Sequence, residues 1–255
     1  GALMAIGAFI YGAMTMNGMN SALAVILALA VPAILGAVNG LILIWTGIPS
    51  FIVTLGTQYL FRGALYVVST GIMLQTVADL PVYSLLNGRL DFIADRIKDG
   101  NFRTSLFWLL GLVAVVQFLL VRTRFGNHVF AAGGSPLAAR ATGVSVRRTK
   151  LACFVISGLL AGLAGVMLFS QYKTARIATG TGEELNAIAA AVVGGTLLTG
   201  GSGSIVGALL GILTISMLRT GVVLTNLIEP DNFVAIVGVT IVLAAIFNNW
   251  IRKQA

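Results

Sequence analysis

Long apolar runs separated by short polar segments dominate the chain. A run of about 20 apolar residues forms a helix long enough to cross the roughly 30 Å hydrocarbon core of a bilayer. The pattern therefore predicts an all-α polytopic membrane protein with about eight membrane segments. The predicted segments are residues 1–16, 21–45, 51–68, 104–121, 151–170, 186–198, 205–219 and 232–247.

The segment at residues 186–198 is too short to span the bilayer comfortably. TGGSGS follows it at residues 199–204, and seven of the 18 residues in the range 194–211 are glycine. One interpretation is a broken or re-entrant helix pair beside a translocation path. The other is close packing of membrane helices. No Gly-Lys-Ser/Thr follows the glycines, which excludes a nucleotide-binding loop.

Small residues one helical turn apart mark the segment at residues 151–170. They form the pairs Gly158-xxx-Gly162 and Ala161-xxx-Gly165. Such pairs let helix backbones approach closely in lipid, so they predict a tight helix crossing here.

The charges indicate one orientation in the membrane. The chain is 58% hydrophobic and 9% charged, whereas soluble domains carry about 25% charged residues. The net charge is +8, and residues 122–150 contain basic residues but no acidic one. The positive-inside rule places this segment and the C-terminus in the cytoplasm, and residues 69–103, 171–185 and 222–231 outside. The positive charge is therefore no sign of a nucleic-acid partner.

The chain has a single cysteine, Cys153. With one cysteine, neither an intrachain disulfide nor a cysteine-rich metal site can form.

A short helix is predicted at residues 136–142, inside the basic segment. Ser135 can cap it, Pro136 suits the first helical position, and Gly143 suits the residue after its end. A helix held at the cytoplasmic face between two spans is well placed to contact a cytoplasmic partner. On the opposite side, residues 90–97 could form an amphipathic helix on the outer surface.

Polar residues in or near the spans are candidates for a substrate pathway, because such groups tend to face a bundle interior or cavity. Neutral hydrogen-bonding groups with a nearby aromatic ring would suit an uncharged polyol. The alternative for each polar residue is a hydrogen bond between helices, or a helix cap in the case of the acidic residue. The candidate pathway residues are Asn39, Phe51, Gln58, Glu184 and Asn186.

No chemistry for catalysis or ion coupling is found in the sequence. No acidic residue lies in the middle of a predicted span, and His128, the lone histidine, falls in the basic segment. We therefore expect the energy source for any transport to lie outside this chain. The sequence has no HExxH or GxSxG motif, so we predict no catalytic residue, no metal site and no enzymatic activity.

Three stretches resemble the permease subunits of bacterial ATP-binding-cassette (ABC) importers for monosaccharides of the ribose/xylose/galactose type. They are GIPSFIVTLGTQYLFRG at residues 47–63, AAGGSPLAARATGVSVRRTK at 131–150, and GTGEELNAIAAAVVGGTLLTGGSGSIVGALLG at 180–211. The family usually has a further N-terminal portion, so we expect the natural N-terminus to be missing here. Asn186 departs from the pattern, because many members carry Asp at that position.

The resemblance implies one transmembrane permease domain, residues 1–255, in the bacterial cytoplasmic membrane. It implies alternating access driven by a separate cytoplasmic ATPase, which would hold the ATP and magnesium while this chain binds no cofactor. Further implied partners are a second permease, identical or paralogous, a periplasmic sugar-binding protein and membrane lipid. The residues implied in coupling to the ATPase are Ser135, Pro136, Leu137, Ala138, Ala139, Arg140 and Gly143, with Arg140 as the electrostatic contact.

Other functions remain open at this point. Autoinducer-2 permeases are close relatives of the family, and branched-chain amino-acid permeases are distant ones. A stand-alone sugar facilitator or channel is a different class, in which the basic segment would only anchor the topology. A facilitator would transport substrate without any ATPase.

Overall fold

The computed structural model describes residues 1–77, 81–89, 103–225, 235–240, 242, 243 and 246. The helices before the basic segment are α1 Ala2–Met16, α2 Ser21–Thr46, α3 Ser50–Ser69, α4 Pro81–Asn87 and α5 Ser105–Arg122. The later helices are α6 Arg124–Gly134, α7 Pro136–Ala141, α8 Val146–Tyr172, α9 Glu183–Val193 and α10 Ile205–Thr225. Two short strands are β1 Leu74–Gln75 and β2 Thr174–Ala175. Residues 235–240 are also helical.

The helical membrane architecture predicted from the sequence is confirmed in its main feature. Among the described residues, five helices are long and apolar enough to cross a membrane, namely α2, α3, α5, α8 and α10. The apolar helix α1 is shorter, with 15 residues. The predicted number of about eight membrane segments stays a prediction. The outer-surface helix predicted at residues 90–97 lies outside the described residues.

Several helix boundaries differ from the prediction. Helix α8 begins at Val146, inside the segment predicted to be a basic loop, and α6 also lies in that segment. Helix α10 runs past Arg219 to Thr225, because a long, exposed arginine side chain need not end a helix. Helix α9 is shifted towards the N-terminus relative to residues 186–198, because Gly194 and Gly195 end it.

The chain divides into two compact units, and unit 1 comprises residues 1–110 and 150–181. Its core contains α1, α2 and α8, and the predicted close crossing is confirmed. A Cβ on Gly162 of α8 would lie 2.7 Å from the carbonyl oxygen of Ala28 in α2, and one on Gly158 would clash with the carbonyl of Pro32. In the second pair Gly165 packs against α1 at Met4, while Ala161 is only half-buried.

Unit 1 also contains a cluster of three aromatic rings and a pair of short strands. Tyr11, Tyr83 and Phe169 meet edge to face, with ring centroids 5.9–6.2 Å apart, and so join α1, α4 and α8. Strands β1 and β2 pair in antiparallel register, with Leu74 opposite Ala175. This two-stranded pairing is an exception to the predicted all-α class.

Unit 2 comprises residues 111–149 and 182–255. Helices α9 and α10 form a hairpin in which Gly211 lies against the carbonyl of Ala190, and Gly194 against the backbone of Gly207. Ala189, Ala190, Ile215 and Val237 form its buried core.

Candidate coupling site and substrate pathway

The sequence between α6 and α8 folds into the short helix that was predicted. Ser135 has extended backbone angles, and its hydroxyl oxygen accepts a hydrogen bond from the N–H of Ala138 at 3.4 Å. Pro136 occupies the first turn, where its missing N–H costs nothing. The helix therefore begins where the cap and the proline set its start.

The end of α7 is fixed by a Schellman motif. Gly143 has a φ of +84°, a conformation that a side chain would strain. Its N–H donates to the carbonyl of Arg140 at 3.0 Å, and the N–H of Val144 donates to the carbonyl of Ala139 at 2.9 Å. These are the paired hydrogen bonds that satisfy the last carbonyls of a helix.

Helix α7 has one buried side and one exposed side. Ala139 is 3% exposed and packs with Ala132 and Val146, so it holds the helix against the rest of unit 2. Leu137 is 78% exposed, and Arg140, three residues further along, is exposed too. Residues three apart on a helix lie on the same side, so a large apolar group and a cation project together from α7.

The surroundings of α7 are positively charged. All the basic side chains of this segment are exposed, and the segment has no acidic residue to neutralise them. A concentration of one charge sign favours an acidic partner or an anionic surface. The exposed basic residues are Arg122, Arg124, His128, Arg140, Arg147, Arg148 and Lys150.

Three candidate pathway residues lie in unit 1. Asn39 of α2 is 7% exposed, and its Oδ1 accepts no hydrogen bond from the described residues. Phe51 and Gln58 are seven residues apart and so share one face of α3. Phe51 is 61% exposed and Gln58 is half-buried. Asn39 is thus buried inside unit 1, whereas Phe51 lies on its surface.

The other two candidates lie at the start of α9 in unit 2. The N–H of Gly182 donates to Oε1 of Glu184 at 3.3 Å, and Nδ2 of Asn186 donates to Oε2 of Glu183 at 3.4 Å. Carboxylates in the first turn are stabilised by the helix dipole. The first turn of α9 thus gathers two acids and an amide into one polar cluster.

Arg62 is a residue whose importance the sequence reasoning missed. It lies in the apolar helix α3, and its guanidinium donates to the carbonyls of Ile177 at 2.7 Å and Thr179 at 3.4 Å. It thereby ties α3 to the irregular segment that leads to α9. The available signal was the presence of a cation inside a membrane segment, which is costly unless the cation is paired.

Comparison with known proteins identifies similar sequences along the whole chain. The family model described as "Branched-chain amino acid transport system / permease component" matches residues 1–245. The chain is 33% identical to the ribose import permease protein RbsC of Escherichia coli (strain K12), covering 100% of this chain and 76% of that protein. The corresponding ribose permease of Bacillus subtilis (strain 168) is 34% identical with the same coverage. The fructose import permease protein FrcC of Rhizobium meliloti is 31% identical, covering 100% of this chain and 70% of that protein. No solved structure gives a significant match.

Proposed function

The chain belongs to the family described as branched-chain amino acid transport system / permease component, and on this premise we propose that it is the membrane subunit of an ABC importer for a monosaccharide. The observation that carries the proposal is the similarity to ribose and fructose import permeases over 100% of this chain. The helices long enough to span a membrane agree with that role. The chain itself is a transport subunit and not an enzyme.

The energy for transport comes, in this proposal, from ATP hydrolysis on a separate cytoplasmic ATPase that docks on α7. Leu137 enters an apolar pocket of the ATPase, and Arg140 binds a carboxylate beside that pocket. Ala139, which is buried, holds α7 from behind and does not touch the ATPase. A movement of the ATPase is thereby passed to the membrane helices.

The α9–α10 hairpin is proposed to be a re-entrant pair that enters from the cytoplasmic side. The N–H of Ile205, at the start of α10, donates to Oε1 of Gln117 at 2.9 Å, near the end of α5 that adjoins the basic segment. Helix α9 has 11 residues and is therefore about 16 Å long, half of the roughly 30 Å core. Its first turn would then lie near the bilayer midplane, where transporters of this kind bind substrate.

The residues proposed to meet the substrate are the candidate pathway residues predicted from the sequence. Glu184 and Asn186 in the first turn of α9 offer an acceptor and an amide to sugar hydroxyls. Asn39 offers a buried Oδ1 that accepts no hydrogen bond from the described residues. Gln58 adds a further amide, and Phe51 a ring for the apolar face of a sugar.

The remaining partners are also proposals. A second permease, identical or paralogous, would complete the translocation path, and a periplasmic sugar-binding protein would deliver the substrate. The C-terminus would lie in the cytoplasm with the basic segment.

A second candidate substrate is a branched-chain amino acid, because the family description names that class. Uptake of radiolabelled ribose, fructose and leucine by the assembled importer distinguishes the two. Uptake of a sugar that excess leucine leaves unchanged supports the proposal, and the reverse result replaces it.

The docking role of α7 is tested with Arg140→Glu, matched by Arg148→Glu. Both arginines are exposed in the same basic segment, but only Arg140 lies on α7. We expect Arg140→Glu to lower both the recovered ATPase and the uptake about tenfold or more, the equivalent of at least 1.4 kcal/mol. Arg148→Glu should leave both nearly unchanged. Equal effects of the two changes would contradict docking at α7.

A further inference from the structure

Two pairs of glycines meet directly before the coupling helix. Gly133 and Gly134 end α6, next to the Ser135 cap of α7, and they lie against Gly200 and Gly201 in the loop between α9 and α10. A Cβ on Gly133 would lie 2.8 Å from the backbone N of Gly201, and one on Gly200 would lie 2.6 Å from the carbonyl oxygen of Gly133. The two backbones therefore touch with no side chain between them. We call these four residues the glycine contact.

The loop on one side of the glycine contact is a closed turn. The N–H of Leu197 donates to the carbonyl of Ser202 at 3.1 Å, and the N–H of Gly200 donates to the carbonyl of Leu197 at 3.0 Å. Gly200 and Gly201 have φ values of +87° and +85°, which side chains rarely adopt. The shape of this loop is thus set by its own hydrogen bonds and by glycine.

The same loop is fixed to the helices around it. Gln117 of α5 accepts from the N–H of Ile205 at 2.9 Å, and the hydroxyl of Ser204 accepts from the N–H of Gly207 at 2.9 Å, which caps the start of α10. Behind it, the close packing of Gly211 on Ala190 joins α10 to α9. A displacement of the loop therefore displaces the whole hairpin.

We propose that the glycine contact joins the coupling helix to the α9–α10 hairpin, so that the two move as one body when the ATPase moves α7. Gly133 and Gly201 are then positioning residues for transport, since they transmit motion and do not touch the substrate. Packed interfaces shift between discrete arrangements instead of deforming continuously, so a backbone contact of this kind can pass on a small displacement. The inference rests on the proposed docking of an ATPase at α7.

Neighbouring residues provide a matched pair of variants. A Cβ on Gly134 would lie 3.6 Å from the Cα of Gly201, an ordinary van der Waals distance, whereas the one on Gly133 would be too close to Gly201. Gly133→Ala should therefore open the contact, and Gly134→Ala should leave it intact. Both changes replace glycine by alanine at the end of the same helix, so their effect on α6 is similar.

The test uses the full importer reconstituted in liposomes, with ATPase recovery, ATP hydrolysis and sugar uptake measured together. We expect Gly133→Ala to retain ATPase binding and ATP hydrolysis. Sugar uptake should fall about tenfold or more, which corresponds to at least 1.4 kcal/mol. Gly134→Ala should keep all three. Uptake by Gly133→Ala close to that of the unmodified protein would overturn the inference, as would equal losses in both variants.

A second measurement needs no disruptive variant. Spin labels on Ala141→Cys and Leu198→Cys, both exposed, are placed in a Cys153→Ser background that has no other cysteine. The distance between the labels should stay constant between the nucleotide-free and ATP-bound importer. A change of about 5 Å or more, the size of a one-turn shift, would overturn the inference even if docking at α7 holds. Failure of the unmodified protein to recover any ATPase would instead overturn the proposed function, and this inference with it.

Discussion

Arg62 illustrates how a single residue can support an irregular segment inside a membrane protein. The chain between β2 and α9 is not helical, and turns pair only some of its carbonyls, such as those of Arg176 and Ala178, with N–H groups of the same segment. Other carbonyls need a donor from elsewhere. Arg62 donates to two of them, those of Ile177 and Thr179. A planar guanidinium with several donors serves both at once, which lysine or a neutral residue could not do as well.

Replacing Arg62 with leucine should therefore destabilise the protein. A hydrogen bond to a charged group contributes about 1.5–3 kcal/mol, so we expect a loss of that order in the free energy of unfolding. The matched control is Arg176→Leu, since Arg176 is exposed and its Nε donates to a weak acceptor, Sδ of Met73, at 3.1 Å. Thermal unfolding in detergent measures the stability of both variants. Equal shifts for the two variants would show that Arg62 has no special role.

For single residues, the sequence predicts local contacts better than contacts between residues far apart in the chain. Ser135, Pro136 and Gly143 were correctly assigned to the ends of α7, because capping depends on residues within one helical turn. Arg62 and Ile177 lie 115 residues apart, and no local pattern links them. The burial of Ala139 likewise depends on Ala132 and Val146, so its position on the buried side of α7 could be seen only in the structure.

The crossing of α2 and α8 is the best-defined contact between elements in unit 1. Gly158 and Gly162 bring the α8 backbone against Ala28 and Pro32 of α2. In a bilayer, apolar side chains gain little free energy by exchanging lipid contacts for helix contacts. The close approach of the two backbones is therefore a main source of helix association.

Gly158→Ala should weaken the crossing. The added methyl would clash with the carbonyl of Pro32, and overpacking of this kind costs about 1–3 kcal/mol. The control is Gly63→Ala in α3, where a Cβ would meet nothing within 4 Å of the described atoms. Alanine there should be neutral or stabilise the helix by up to about 1 kcal/mol. The midpoint of thermal unfolding in detergent is the readout, and a loss at Gly63 equal to that at Gly158 would contradict the packing argument.

The elements that the sequence did not predict have physical reasons. Long apolar runs located the spanning helices, because their length and hydropathy are strong signals. Helix α6 has only 11 residues, of which three are glycine, so it was not distinguished from a loop in the basic segment. The strands β1 and β2 have two residues each and pair across the chain, which gives no periodicity to detect.

For the whole molecule, three motif-bearing stretches were sufficient to predict the family, and the full-length similarity confirms it. They could do so because they carry irregular features, such as the glycine-rich α9–α10 hairpin and the capped short helix α7, that plain apolar helices lack. The candidate pathway residues remain predictions. Three lie in unit 1 and two in unit 2, and no local sequence pattern links positions in the two units.

The most direct test of the importer assignment is purification of the protein from its native membrane, followed by identification of the co-purifying proteins and reconstitution in liposomes. We predict a stoichiometric nucleotide-binding ATPase and sugar uptake that requires ATP. A second permease in the same preparation would distinguish a heterodimer from a homodimer. A protein that purifies alone and passes sugar without ATP would contradict the assignment and identify a facilitator.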